Sequence, residues 1–350
     1  METDAAWTVS SHPSPHSPLL FVTGATGLVG SHVVERARRD GWRVRALVRS
    51  EPSGQWLKDL GVELALGDMG NASSLTSAVA GATHIVHCAA KVGDWGPVDD
   101  YRAINVTGLQ ALLAAAEQGG TLKRFVHISS LGVYPARDHF GTDEDEPVSA
   151  AGIDGYTRTK VEAELLVLDH VARHQLPAVV LRPGFIYGPR DRTILPQLLQ
   201  RLRSGQFAYL GASDRVMNNT FVGNLIDAVF LALECPAAIG RVYNITDGRL
   251  VTKKEFMETI ARVAGLPVPT KVVPLPVARF LAKLLEAIYR VTRRREAPLL
   301  SNARIKFLGL NLDYCIDRAR CELGYDPQTD FTEAMTQTVQ SFLDGQQVSA

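Results

Sequence analysis

From residue 19 onward, short apolar runs alternate with stretches whose apolar residues recur every three or four positions. The runs predict strands at 19–23, 44–48, 62–66, 85–87, 125–128 and 179–181, and the periodic stretches predict helices at 28–39, 103–118 and 156–174. Near-continuous apolar strands that alternate with amphipathic helices form a parallel sheet covered on both faces, so the class is α/β, doubly wound. Past residue 190 the alternation weakens. Helices are predicted at 195–203, 222–234, 253–264 and 277–289, with a strand near 241–246 returning to the sheet. The expected organisation is a first domain over 19–190 and a smaller, mainly helical C-terminal cap over 191–345. Residues 1–18 are rich in Ser, Pro and His, lack a basic start followed by an apolar run, and read as a disordered tail rather than a signal peptide.

Composition narrows the function. The 350 residues carry 37 Lys+Arg and 37 Asp+Glu, so no overall field gathers nucleic acid or cations. Four cysteines without a CxxC pair suit free thiols in a reducing cytosol, with no metal site expected. His84, His127 and His139 have no partner at metal-ligand spacing. No apolar stretch is long enough to span a bilayer. The acidic run Asp143-Glu144-Asp145-Glu146 reads as a solvated loop.

Between the first strand and helix lies Thr23-Gly24-Ala25-Thr26-Gly27-Leu28-Val29-Gly30. Gly24 permits a tight turn, Gly27 lets the backbone approach a pyrophosphate, and Gly30 lets the helix pack closely on the strand, while Thr26, Leu28 and Val29 border the same turn. This placement marks a Rossmann-type dinucleotide site. At the end of the second strand a carboxylate would hydrogen-bond the ribose of NAD, but Val48-Arg49-Ser50 stands there. Arg49, with Arg45 as a possible helper, pairs a 2′-phosphate, which favours NADP(H) and leaves NAD(H) as the alternative. Asp68, next to Met69, is placed either to meet the adenine amino group or to close a turn. After the fourth strand, the small residues of His87-Cys88-Ala89-Ala90-Lys91 let the backbone run close to the cofactor, with Cys88 a packed thiol.

Tyr156-Thr157-Arg158-Thr159-Lys160 sets a phenol and an ammonium on one helix face, one turn apart. A nearby cation favours phenolate, so Tyr156 can exchange a proton with a carbinol. Ser130 stands at the end of the fifth strand, where active sites of doubly wound sheets form.

These motifs, with His87 to Ala90, Tyr101 to Gly108, His127-Ile128-Ser129-Ser130 and Leu181-Arg182-Pro183-Gly184, resemble the extended short-chain dehydrogenase/reductases over about 19–342. The resemblance implies that Ser130 and Tyr156 bind the reacting oxygen and that Tyr156 carries the proton. It implies further that Lys160 holds the nicotinamide ribose and lowers the phenol's pKa, and that Asn105 orders the active-site backbone. Ser129 is the alternative serine and otherwise a cofactor contact, and Pro183, Gly184 and Ile186 meet the nicotinamide.

The segments Gly93 to Gly96, Gly184 to Asp191, Asn219 to Leu225 and Cys321 to Pro327 are similar to the 3β-hydroxysteroid dehydrogenase branch. That branch includes sterol-4-carboxylate dehydrogenases and 2-alkyl-3-oxoacid reductases, which implies an apolar small-molecule substrate and hydride transfer at a secondary hydroxyl or ketone. A sugar-nucleotide epimerase and a non-catalytic NADP-sensing protein are the alternatives. Leu131-Gly132 stands where the dehydratases carry an acidic pair. Arg182 and Arg190 are placed to meet either a substrate carboxylate or one of the protein, and Asp94 and Trp95 either line the substrate mouth or pack. The segment 277–295 ends in three arginines. The favoured reading is a packed cap helix with a solvated basic end, and the other is an amphipathic helix lying on an anionic bilayer. The resemblance also implies a homodimer formed through the helices near Ala103 and Tyr156.

Overall fold

The structure is a computed structural model and describes residues 17–292, 294 and 296–347. The expected tail lies almost wholly outside the described residues, as do Arg293 and Arg295. Seven strands form one sheet: β1 (Leu19–Thr23), β2 (Arg43–Val48), β3 (Glu63–Leu66), β4 (His84–His87), β5 (Arg124–Ile128), β6 (Ala178–Pro183) and β7 (Val242–Ile245). Their order is β7-β6-β5-β4-β1-β2-β3, and every neighbouring pair is parallel.

Successive side chains of a strand point to opposite faces, so each central strand feeds two cores. Leu20, Val22, Val126 and Val179 face helices α1 (Leu28–Arg39) and α4 (Val222–Glu234), through Val33, Ala37, Leu225 and Val229. Phe21, Ile85, Phe125 and Val180 face α2 (Leu109–Gly119) and α3 (Gly155–His174), through Leu112, Leu113, Ala163 and Val167. This double burial is why the strands read as unbroken apolar runs.

The strand expected near 241–246 joins the sheet as β7, and the helix before it packs on the sheet as well. Residues 222–245 return to the sheet because Leu225, Ile226 and Val229 are too apolar to leave the α1 face uncovered. The helix expected at 103–118 begins instead as Val98–Arg102, passes through a π-turn over Ala103–Gly108, and continues as α2.

The cap proper contains α5 (Leu275–Val291) and α6 (Asn302–Gly309), joined through a small core of Leu210, Ala278, Ala282 and Ile305. The expectation that α5 is simply packed is incomplete, since it buries one stripe and leaves Val277, Phe280, Leu281, Leu284, Ile288 and Val291 exposed. The acidic run is likewise not all solvated: the side chain of Glu144 is buried, accepts from the Asn244 amide at 2.7 Å and faces Arg318.

Lys253 is buried, and its Nζ donates to the Phe307 carbonyl at 2.8 Å. Burial pulls its ammonium down to about 7. The unfolded chain keeps that proton to near 10.4, so it binds more protons than the folded chain across roughly pH 7–10, and this lysine makes stability rise with pH there. The slope from this group approaches about 1.4 kcal/mol per pH unit. Lys253→Met is expected to flatten that rise, checked by thermal melts of both proteins at neutral and alkaline pH. An unchanged slope would remove the assignment.

Candidate functional site

β1 and β4 are neighbours whose onward connections run to opposite sides of the sheet, which opens a crevice at their carboxyl ends. Gly24 sits there at φ +68°, a left-handed value, and a Cβ on it would lie 2.8 Å from the Ala89 nitrogen. The Thr23 hydroxyl accepts from the Ala89 amide at 3.2 Å and fixes this approach. A Cβ on Gly30 would lie 2.2 Å from the Gly24 carbonyl oxygen, so α1 starts pressed against the turn. Gly27 caps α1 without a side-chain hydrogen bond, and among the described residues no carboxylate stands in the first turn. Thr26 and Gly27 are exposed, and Leu28 and Val29 half-buried. A bare backbone cradle with open amides at a helix N-terminus fits a pyrophosphate.

Arg49 projects exposed beyond β2, with no hydrogen bond or ion pair among the described residues. Arg45 cannot help it. Its Nε pairs with Glu63 at 2.8 Å and its Nη1 donates to the carbonyls of Ala78 and Ala80 at 2.9 and 2.7 Å, because residue 45 lies inside the strand rather than at its end. Asp68 closes a turn, its Oδ1 accepting from the Gly70 amide at 2.8 Å, and Met69 is buried against Gly108.

Ser130 follows β5 and opens a short 3₁₀ turn, its Oγ accepting from the Gly132 amide at 3.0 Å. The same side chain stands beside the Tyr156 phenol. Tyr156 stands in the first turn of α3, which Asp154 caps by accepting from the Thr157 amide at 2.7 Å. Burial pushes the phenol up to about 12, with Ser130 pulling the other way. Lys160 lies one turn further along α3. Its Nζ donates to the Ile128 carbonyl at 2.6 Å, and burial brings its own ammonium down to about 8.

Asn105, buried in the π-turn, brackets the backbone of Lys91. Its Oδ1 accepts from the Lys91 amide at 2.7 Å, while its Nδ2 donates to the Lys91 carbonyl at 3.1 Å and to the Thr159 hydroxyl at 3.0 Å. The Lys91 ammonium itself turns to Asp100, 3.1 Å away.

The two adjacent serines separate cleanly. Ser129 points into the interior and donates to Glu164 at 2.6 Å, so its side chain faces neither Tyr156 nor the crevice. Glu164 also receives the Arg182 guanidinium, whose Nη1 donates to the Tyr134 hydroxyl at 2.6 Å. Arg190 pairs with Glu35 of α1, so both arginines meet carboxylates of the protein.

Beyond β6, Gly184 is required by crowding, since a Cβ there would fall 1.7 Å from the Asn218 carbonyl oxygen. The strand Phe185–Tyr187, which carries Ile186, is held beside Asn219–Phe221, and Asp247 clamps both through the Tyr187 hydroxyl at 2.9 Å and the Phe221 amide at 2.7 Å. Pro183 ends β6 and is buried. Cys88 is a packed thiol, pushed up to about 12 by burial.

A cleft of about 980 Å³ lies between the 91–100 loop, the start of α3 and the far end of α5. Asp94 and Trp95 line it. The Trp95 indole donates to the Arg294 carbonyl at 3.0 Å and meets Tyr289 edge-on, while Asp94 accepts from Arg304 at 2.7 Å.

Two features escaped sequence reasoning. Lys306 of α6 donates at 2.7 Å to the carbonyls of both Gly132 and Tyr134, pinning the Ser130 turn from the cap, and no local pattern marks such a lysine. Glu117, His170 and His174 also converge, with His170 Nδ1 2.6 Å from Glu117, and the i,i+4 histidine spacing on α3 was a readable signal.

Residues 20–246 match the NAD dependent epimerase/dehydratase family. A 4-hydroxy-2-methyl-3-oxo-4-farnesyl-3,4-dihydroquinoline-1-oxide ketoreductase from Stigmatella aurantiaca is 32% identical over 307 residues, covering 87% of this chain and 91% of the relative. A 2-alkyl-3-oxoalkanoate reductase from Shewanella oneidensis is 30% identical over 329 residues, covering 90% and 84%. The crystal structure of gox2253 superposes with a TM-score of 0.80 at 28% identity, covering 94% of this chain and 99% of that one. With a glycine cradle at the switch point, a serine at the end of β5 and a tyrosine and lysine on α3, this chain belongs to the NAD dependent epimerase/dehydratase family, as an extended short-chain dehydrogenase/reductase acting on hydroxyl or keto groups.

Proposed function

We propose that the protein is an NADP(H)-preferring oxidoreductase that interconverts a ketone and a secondary alcohol on a bulky apolar substrate, of the 3β-hydroxysteroid or long-chain 3-oxo/3-hydroxy acid type. The observation that carries this reading is the placement of Ser130 beside the Tyr156 phenol, with Lys160 one turn further along α3. A bound nicotinamide supplies or accepts the hydride. Tyr156 holds the proton that the substrate oxygen gains on reduction, and a phenol raised by burial keeps that proton at neutral pH, which suits donation. Ser130 hydrogen-bonds the same oxygen, with the Gly132 amide orienting its hydroxyl. Lys160 holds the ribose hydroxyls, Asn105 positions the Lys91 backbone beside them, and Pro183 to Ile186 flank the nicotinamide.

The cofactor's adenine end meets Asp68, and its pyrophosphate lies on Gly24 to Gly30. Arg49, exposed and uncommitted, takes a 2′-phosphate. The apolar substrate class draws on the two relatives, whose names specify a farnesyl-bearing ketone and an alkyl-substituted oxoacid. Self-association through α2 and α3 belongs to the same reading.

The test is turnover. Purified protein should oxidise NADPH faster than NADH in the presence of 2-alkyl-3-oxoacids or 3-ketosteroids. Turnover of a nucleotide sugar without net cofactor oxidation would instead make it an epimerase. Arg49→Asp is expected to weaken NADPH binding at least tenfold and leave NADH binding within about threefold, since one lost charge-assisted pair amounts to about 1.5–3 kcal/mol. Equal losses for both cofactors would remove Arg49 from the 2′ site.

A further inference from the structure

Helix α5 commits only part of its circumference to the protein. Ala278, Ala282 and Glu286 are buried, whereas Phe280 is 68% and Val291 84% exposed, with Val277, Leu281, Leu284 and Ile288 between 40% and 48%. At about 100° per residue these six apolar side chains fall within an arc of about 100°. Arg279, Lys283 and Arg290 fall together in a sector of about 40°, between that arc and the buried stripe. Arg290 pairs with Glu286, but Arg279 and Lys283 have no carboxylate partner among the described residues. A chain of 37 basic and 37 acidic residues thus sets unpaired cations along one edge of its most apolar exposed face. Among the described residues no helix is long and apolar enough to cross a membrane.

We infer that α5 seats in the surface of an anionic bilayer, its apolar arc entering the boundary between headgroups and acyl chains and Arg279 and Lys283 meeting lipid phosphates. An exposed arc of Phe, Leu, Ile and Val bordered by cations is the pattern of a helix that lies in this interface. Glu286, Tyr289 and Arg290 at the far end of the same helix, and Arg294 just beyond it, line the cleft, so docking brings the cleft mouth to the membrane. A second copy fits this face less well. A two-fold contact of α5 with itself would set Arg279 and Lys283 against their own counterparts with no carboxylate to receive them. Delivery of substrate from the bilayer rests on the proposed apolar substrate; the docking itself does not.

The experiment is co-sedimentation of the full chain with phosphatidylcholine vesicles, with and without phosphatidylserine, alongside sedimentation velocity of the protein alone. Binding is expected to be at least tenfold stronger to the phosphatidylserine vesicles. Phe280→Ser with Leu284→Ser should abolish it, and Arg279→Glu with Lys283→Glu should remove the preference for phosphatidylserine, while both variants keep the melting temperature and the NADPH affinity of the parent. Equal binding to both vesicle types, no binding, or a dimer that the Phe280/Leu284 variant dissociates would overturn the inference. Vesicle binding without ketone reduction would uphold it and defeat the proposed function instead.

Discussion

Tyr156→Phe is expected to lower the rate of ketone reduction by about 10²–10⁴-fold while leaving NADPH affinity within about twofold. The substitution removes only the phenolic oxygen, and the ring that packs in the first turn of α3 stays. Ser130→Ala should cost less, because it leaves the proton donor and removes one hydrogen bond to the substrate oxygen. The loss should appear in kcat, since the contact strengthens as charge develops on that oxygen. Stopped-flow measurement of NADPH oxidation at saturating substrate reads this directly. A Tyr156→Phe protein within a few-fold of the parent would place the proton transfer elsewhere.

Glu164→Ala is expected to destabilise the fold by about 3–5 kcal/mol. Arg182 is buried between α3 and β6, and Glu164 is the carboxylate it pairs with. Truncation strands that cation and also removes the acceptor of the Ser129 hydroxyl. At about 1.4 °C per kcal/mol for a chain of 350 residues, the melting temperature should fall by about 4–7 °C. Replacing both partners, Glu164→Leu with Arg182→Met, should recover part of the loss, because no charge is then left buried without a partner. A denaturant titration of the parent and the two variants decides the matter, and a loss below about 1 kcal/mol in Glu164→Ala would show that Arg182 finds another partner or water.

The sheet and its nucleotide end were legible because their signals are local. Gly24 and Gly30 answer to atoms within a few residues or on the adjoining strand, and the apolar runs of β1, β5 and β6 follow from burial on two faces. Residues with distant partners were not legible. Whether Ser129 or Ser130 faces Tyr156 depends on which of them meets Glu164, which lies on another element. Arg45 and Arg49 look alike in the sequence, and only the strand end at Val48 tells them apart. Glu144 read as solvated because nothing near it announces the Asn244 amide. Lys306 and Lys253 reach carbonyls far along the chain, and an isolated lysine in a helix carries no mark of that use.

The place of β7 has a consequence for how the chain is made. β6 needs Val242–Ile245 to complete its edge, yet the intervening segment contributes to the second compartment of the molecule. While the nascent polypeptide emerges, the Ala178–Pro183 strand therefore presents unpaired amides and carbonyls until Ile245 has left the ribosome. An open parallel edge is a template for pairing with other chains. Synthesis slowed between these two strands should raise the yield of insoluble product, whereas a pause placed after Ile245 should not.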